Sequence, residues 1–233
     1  MTYIREVVLI DSLLTGAVAP FGPRKVASGI VKTPVQGPTL LGINGLATDQ
    51  QGDRKNHGGR DKAVHHYSID HYPIWSQEIG TRDVLNRPGA FGENFSSTGL
   101  DERQVAVGDV FRVGGAILQV SQGRQPCWKL NQRFDVPDMA LRVQQSGRTG
   151  WYYRVLQQGL VAPGDELVPL DRPSPEWTID RLQRLFYVDP LNLDGLAATQ
   201  ELPHLAEGWR DIARRRLETQ RVEDWTPRLT NCH

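Results

Sequence analysis

Glycine and proline divide this chain into two unequal parts. Of its 233 residues, 23 are glycine and 15 are proline, yet of the glycines only Gly195 and Gly208 lie beyond Pro175. A chain interrupted so often cannot sustain long helices over its first three quarters. It can form short strands joined by turns. Apolar runs at Val7–Ile10, Ser28–Val35, Thr39–Ile43, Ala63–Tyr67, Ala116–Val120 and Gly150–Leu156 read as strands, the second and third joined by a Gly37-Pro38 turn. Val105 to Val113 reads as a tight hairpin about Gly108-Asp109, and Leu160 to Val168 echoes it about Gly164-Asp165. The fold class expected is therefore mixed but mainly β: a β-barrel or folded-over sheet with a few helices.

One helix is expected inside this part. Asp70 is placed to cap it, Pro73 lies in its first turn, Gly80 ends it, and Tyr72, Trp75 and Ile79 share its buried face. Residues 136–146 have weaker helical character. Past Pro175 the spacing turns helical. Ser174 or Thr178 caps a helix through Ile179, Leu182, Leu185 and Phe186. Asp189-Pro190 starts a second, and Leu205 to Leu217 makes a third. The domain division expected is residues 1–172 for the β part and 173–233 for a small three-helix segment.

Composition narrows the function. Lysine plus arginine number 27 and aspartate plus glutamate 27. No global field draws such a chain to a nucleic-acid polymer or an anionic membrane. The Arg214-Arg215-Arg216 run reads as a solvated helix face. No apolar run approaches the ~20 residues of a membrane-spanning helix. The first residues lack the pattern of a signal peptide. Two cysteines far apart make no disulfide framework, so a reducing cytoplasm is the expected setting.

Chemistry concentrates in Val120-Ser121-Gln122-Gly123-Arg124-Gln125-Pro126-Cys127-Trp128-Lys129-Leu130. Cys127 follows a strand and stands between Arg124 and Lys129. Cations favour the thiolate, the form that attacks electrophiles and binds soft metals. A small buried apolar residue is the competing reading. No C-x-x-C or H-x-x-x-H spacing offers a zinc site. The loop from Arg54 to Lys62 carries Arg54, Lys55, His57, Gly58, Gly59, Arg60, Asp61 and Lys62. Consecutive glycines among cations can build an anion-binding nest, although glycine pairs are also ordinary turn residues. His65 and His66 lie on a strand, so one faces each side. Phe91-Gly92-Glu93-Asn94 can place a carboxylate and an amide at a site mouth.

Taken in order, these stretches resemble a known family. The matching segments are Lys55-x-His57-Gly58-Gly59-x-Asp61-Lys62-Ala63-Val64-x-His66-Tyr67, Gly89-x-Phe91-Gly92-Glu93-Asn94, Val120-Ser121-Gln122-x-Arg124-x-Pro126-Cys127-x-Lys129-Leu130 and Gly147-x-x-Gly150-Trp151-Tyr152. They resemble the MOSC proteins, named after the C-terminal domain of molybdenum cofactor sulfurase, and within them the YiiM-like branch with its three-α tail. The resemblance implies a molybdenum cofactor, a molybdopterin whose metal is bound through Cys127. It also implies reduction of N-hydroxylated compounds, including hydroxylaminopurine-type base analogues, to amines.

On that reading Arg54, Lys55, His57, Gly58, Gly59, Lys62, Asn94, Ser121, Gln122, Arg124 and Lys129 hold the cofactor. His57, His65, His66 and Asp61 supply protons. A separate flavin or iron–sulfur reductase supplies electrons, and an oligomer is compatible with the chain. One departure is visible: Gly45-Leu46-Ala47-Thr48-Asp49 carries Thr48 where the family usually has glycine, which predicts backbone strain there. The residues leave two rivals open. One is a cysteine-nucleophile hydrolase or sulfur transferase. The other is a non-enzymatic carrier of the cofactor or of sulfur.

Overall fold

The computed structural model describes residues 7–53 and 58–230. Seven short strands come first: β1 (Val8–Leu9), β2 (Ser12–Thr15), β3 (Ala19–Phe21), β4 (Val26–Ser28), β5 (Thr33–Pro34), β6 (Thr39–Gly42) and β7 (Gly45–Leu46). A 3-10 turn at Arg60–Lys62 leads into β8 (Val64–Ser68) and helix α1 (His71–Ile79). There follow β9 (Phe95–Ser97), β10 (Val110–Val113) and β11 (Ala116–Gly123). After them come α2 (Lys129–Phe134), α3 (Met139–Ser146), β12 (Trp151–Gln157), β13 (Gly159–Val161) and β14 (Glu166–Asp171). The tail carries α4 (Ile179–Tyr187), α5 (Leu193–Gln200), α6 (Glu207–Thr219) and the short α7 (Thr226–Thr230). Among the described residues no helix is long and apolar enough to cross a membrane.

Nine strands form one sheet in the order β1-β14-β10-β11-β12-β8-β9-β2-β5. β1 and β2 lie near its opposite ends, yet only Ile10 and Asp11 separate them. Three residue steps span at most ~11 Å, so the sheet curls back on itself. It does not close: among the described residues no ladder joins the β1 end to the β2–β5 end. Of the two forms expected from the sequence, a β-barrel or a folded-over sheet, the second is the one present, as an open, curled sheet.

The expected hairpins are corrected as well. Val105–Val107 does not pair with β10. Its amides and carbonyls go to the tail, through Val107 N to Trp177 O at 2.9 Å and Ile179 N to Val105 O at 2.8 Å. β13 pairs with β6 rather than β14, and β5 pairs with β2 rather than β6. The echoed Val-Ala-x-Gly-Asp segments share something smaller than a hairpin. In each, the aspartate accepts from the alanine amide three residues earlier: Ala106 N to Asp109 Oδ2 at 2.8 Å and Ala162 N to Asp165 Oδ2 at 2.7 Å. Each glycine takes positive φ, 87° at Gly108 and 86° at Gly164. The repeat encodes a turn closed by its own side chain.

Two apolar clusters flank the sheet. One holds Val64, Phe95, Phe111, Leu118, Trp151 and Tyr153. Trp177, Ile179, Leu182, Phe186 and Trp209 of the tail belong to this same cluster. The other packs Tyr67 and Phe91 against α1, α2 and α3 through Tyr72, Trp75, Leu130, Phe134, Met139 and Val143.

Residues 173–230 hold four helices where three were expected. Thr178 caps α4, its hydroxyl accepting from Arg181 N at 3.1 Å. Asn192, not Asp189-Pro190, starts α5, accepting from Gly195 N at 2.9 Å. Arg216 is buried rather than solvated, bonded to Glu223 and to Phe186 O. Thr48 is exposed and has no positive φ, so the expected strain is not there.

Candidate functional site

A cavity of about 80 Å³ opens where β8, β11 and β12 end against the segments around β4 and Asp49. Ser28, Gly29, Ile30 and Lys32 form one wall, and residues 49–53 another. Lys62, His65, Phe91, Gly92 and Asn94 line it further, with Arg124, Cys127, Lys129 and Tyr152 opposite. Gly29 has no room for a Cβ, because Gln50 O lies against its Cα. The two walls meet backbone to backbone there.

Strand register decides which side chains reach this cavity. Tyr152 pairs with His65 and Trp151 with His66. Alternation then sends His65 and Tyr152 to the cavity, and His66 and Trp151 into the core. His66 does not line the cavity, which corrects its expected role as a proton donor there. Its ring nitrogens meet Tyr153 OH at 3.0 Å and Ser97 Oγ at 2.7 Å. Burial alone lowers its pKa to about 3. His65 Nε2 lies 3.3 Å from Thr149 O. Burial first, and then the positive charges of Arg124 and Lys32, hold His65 well below the usual imidazole range. It is a neutral ring at neutral pH, suited to donating a hydrogen bond but not to carrying a labile charge.

The Cys127 loop leaves β11 at Gly123 and enters α2. Arg124 N donates to Gly150 O at 3.1 Å, and Leu130 N to Cys127 O at 3.0 Å. Cys127 is 7% exposed, Arg124 6% and Lys129 8%. Among the described residues Arg124 Nη1 is buried without a hydrogen-bond partner. A buried guanidinium nitrogen left unpaired is costly, and an anionic ligand would satisfy it. Lys129 Nζ donates to Ala27 O at 3.4 Å. Lys62 is buried enough that desolvation lowers its pKa, against the pull of Asp53 and Asp61.

Lys32 and Asp49 form a buried ion pair beside these groups. Asp49 also accepts from Gly16 N at 2.8 Å and Asn94 Nδ2 at 2.9 Å. Asn94 in turn accepts from His65 N at 3.1 Å. Desolvation lowers the Lys32 pKa, with Asp49 opposing. Lys32, Asp49 and Tyr152 were not among the residues expected here. The available signals were a lone lysine in an apolar run and an aspartate closing Gly45-Leu46-Ala47-Thr48-Asp49.

Of the expected cofactor-holding residues, Lys62, Asn94, Arg124 and Lys129 meet at the cavity with Cys127 and His65. Arg54, Lys55 and His57 lie outside the described residues. Gly58, Gly59, Asp61, Ser121 and Gln122 are not in the cavity wall. Ser121 Oγ lies 2.6 Å from Asp61 O and 3.0 Å from Tyr152 O. Asp61 accepts from Arg154 Nε at 2.7 Å. Gln122 Nε2 donates to Gly123 O at 3.3 Å. These three build the loop rather than face a ligand. Glu93 also turns away, accepting from Gly89 N at 2.6 Å, Phe91 N at 3.0 Å and Tyr72 OH at 2.5 Å.

The cavity thus offers one thiol and four cations, Lys32, Lys62, Arg124 and Lys129, against Asp49 and Asp53. Among the described residues no three His, Cys, Asp or Glu side chains cluster to hold a bare metal ion. The donor set fits an anionic group that brings its metal with it and needs one more soft ligand.

The chain is similar to known proteins along most of its length. Residues 53–168 match the MOSC domain profile, and residues 177–220 match the YiiM-like, 3-alpha helix domain. The chain is 36% identical to Protein YiiM of Escherichia coli over 215 residues, 92% of this chain and 95% of that one. It is 36% identical to a protein named Reductase from Gibberella moniliformis over 196 residues. That is 84% of this chain but 35% of the fungal protein. The crystal structure of YiiM from Geobacillus stearothermophilus superposes with a TM-score of 0.77 at 33% identity, covering 90% of this chain and 99% of that one.

Proposed function

The chain belongs to the MOSC domain family, with the YiiM-like three-helix domain behind it, and on that premise we propose that it reduces N-hydroxylated compounds to amines with a molybdenum cofactor. The substrates are hydroxylamines, including hydroxylaminopurine-type base analogues. One observation carries the cofactor reading: the buried, partnerless Nη1 of Arg124 in the wall that holds the Cys127 thiol. Arg148 Nη1 and Arg210 Nε also lack a partner among the described residues, but only the Arg124 nitrogen belongs to the cavity wall, where an anion would satisfy it.

When bound, the cofactor supplies two-electron removal of oxygen from R–NHOH, so that two electrons and two protons give R–NH2 and water. Cys127 would complete its coordination as a soft ligand. Arg124, Lys129 and Lys62 would neutralise its anionic tail, and Asn94 and the Lys32–Asp49 pair fix the wall behind it. Neutral His65, its Nε2 facing Thr149 O, adds no charge to the wall and shapes it beside Arg124. Electrons come from a separate flavin or iron–sulfur reductase.

The test is purification from a host that makes the cofactor, with molybdenum quantified per chain. Turnover of a hydroxylaminopurine is then measured with an artificial reductant. About one molybdenum per chain with amine formation supports the proposal. Protein from such a host that holds no molybdenum overturns it.

A further inference from the structure

We infer that the C-terminal helix α7 sets the orientation of the Cys127 thiol, and that Arg228 is a positioning residue of the site. The inference rests on the reading of Cys127 as the group that meets the cofactor.

Arg228 bonds to both peptide units that flank Cys127. Its Nη1 donates to Pro126 O at 2.5 Å, on the peptide entering Cys127. Its own carbonyl accepts from Trp128 N at 2.8 Å, on the peptide leaving Cys127. With both planes fixed, φ and ψ at Cys127 are fixed, and so is the direction of its Cβ. The loop's own bond is on the leaving peptide, Leu130 N to Cys127 O at 3.0 Å, while the carbonyl of the entering peptide is held by Arg228. The guanidinium is itself held, with Nη2 donating to Gln144 Oε1 at 2.6 Å. Helix α4 holds the residues just before: Gln183 Nε2 donates to Arg124 O at 3.0 Å, and Gln125 Nε2 to Tyr187 OH at 2.8 Å. Asn131 Nδ2 donates to Leu229 O at 2.8 Å on the far side. The tail therefore grips the loop on both sides of the thiol, from residues between 59 and 102 positions away. Helix α7 itself lies beyond the 177–220 match. Gripping a ligand-bearing loop from behind is how first contacts are kept in register.

The test reads the thiol directly, in the full chain without cofactor. Alkylation of Cys127 by iodoacetamide is followed by peptide mapping, which separates it from Cys232. Cys127 is nearly buried, so its rate reports local opening of the loop. Arg228→Ala removes both side-chain bonds and is expected to speed alkylation by roughly ten-fold or more. Arg228→Lys restores one donor and should recover part of the protection. Arg181→Ala is the control: Arg181 stacks over Trp177 on α4 and does not touch the loop. It should leave the rate within about two-fold of the parent. If Arg228→Ala does not fold, Gln144→Leu unhooks the guanidinium and should give a smaller rise in the same direction.

An unchanged rate in a folded Arg228 or Gln144 variant overturns the inference. So does an equal rise in Arg181→Ala, which would mean general loosening. Because no cofactor is present, these outcomes stand apart from the molybdenum measurement. If that measurement fails while the alkylation result holds, the clamp survives and the cofactor reading does not.

Discussion

Residues 64–66 and 151–153 run side by side, and each strand sends alternate side chains to two different places. On the core side, His66 has a partner for each ring nitrogen, and Tyr153 OH is one of them. On the cavity side, His65 and Tyr152 face Arg124, one of whose nitrogens has no partner. Both histidines are buried and both have lowered pKa values. Burial alone accounts for His66, whereas positive neighbours add to it at His65. Of the polar groups around His66, its own ring nitrogens, Tyr153 OH and Ser97 Oγ are satisfied within the fold, whereas Trp151 Nε1 has no partner among the described residues. Those of the cavity are left in tension, cation against cation, and that tension is what an anionic ligand would relieve. Stability and function should therefore separate along the two faces of the same strands.

The largest expected effect tests the cavity side. Cys127→Ala should remove molybdenum from the purified protein and lower turnover by roughly a thousand-fold or more, as loss of a group at the reacting centre does. Melting should hardly move, since a thiol becomes a methyl. Retained molybdenum would break the assignment. Arg124→Met sharpens the comparison because two readouts should move oppositely. Cofactor retention should weaken by roughly ten- to a hundred-fold, the worth of a charge-assisted hydrogen bond. Stability of the cofactor-free protein, by chemical denaturation, should hold or rise, because a buried unpaired cation is gone. A clear loss of stability would place Arg124 with the core residues instead.

The core side is tested next by His66→Leu. Tyr153 OH and Ser97 Oγ lose their partner, at a cost of about 1–3 kcal/mol. Molybdenum retention should be untouched. The pH dependence should change too. The unfolded imidazole takes a proton below about pH 6.5, while the folded one resists until about 3. The His66 contribution is thus fully present above pH 6.5 and is lost as pH falls toward 3. Wild-type stability should decline across that window more steeply than that of the variant. Parallel profiles would contradict the buried neutral ring.

How much of this could be read from residues alone depends on how local the chemistry is. Cys127, Arg124 and Lys129 sit within six positions, and all three meet at the cavity. The alternation of His65 and His66 was legible, but not which face would be the site, because that is set by pairing with β12. Lys32, Asp49 and Asn94 join the cavity from three separate segments, and only the fold brings them together. Ser121 and Gln122 share the cysteine motif yet serve the backbone, since motif membership does not say which way a side chain points. The expected hairpins failed on a similar point. Gly108-Asp109 and Gly164-Asp165 do make turns, but turn chemistry does not choose the strand that comes next to pair.

The smallest expected effect lies where the two faces are joined. Ser121 leaves β11 and bonds the carbonyls of Asp61 and Tyr152, so it ties the 60–62 turn to the strand that carries Tyr152. It touches no ligand position, yet Lys62 is the next residue after Asp61 and lines the cavity. Ser121→Ala should cost about 1 kcal/mol of stability, the net worth of one hydrogen bond. Its effect on the site should be indirect: a KM for the hydroxylamine raised by about two- to five-fold with kcat little changed, because looser support for Lys62 weakens binding more than it alters the reacting centre. A fall in kcat with KM unchanged would mean that the turn sets the geometry of the chemical step. Lys62 would then act at a fixed atom of the substrate rather than as part of the cationic wall.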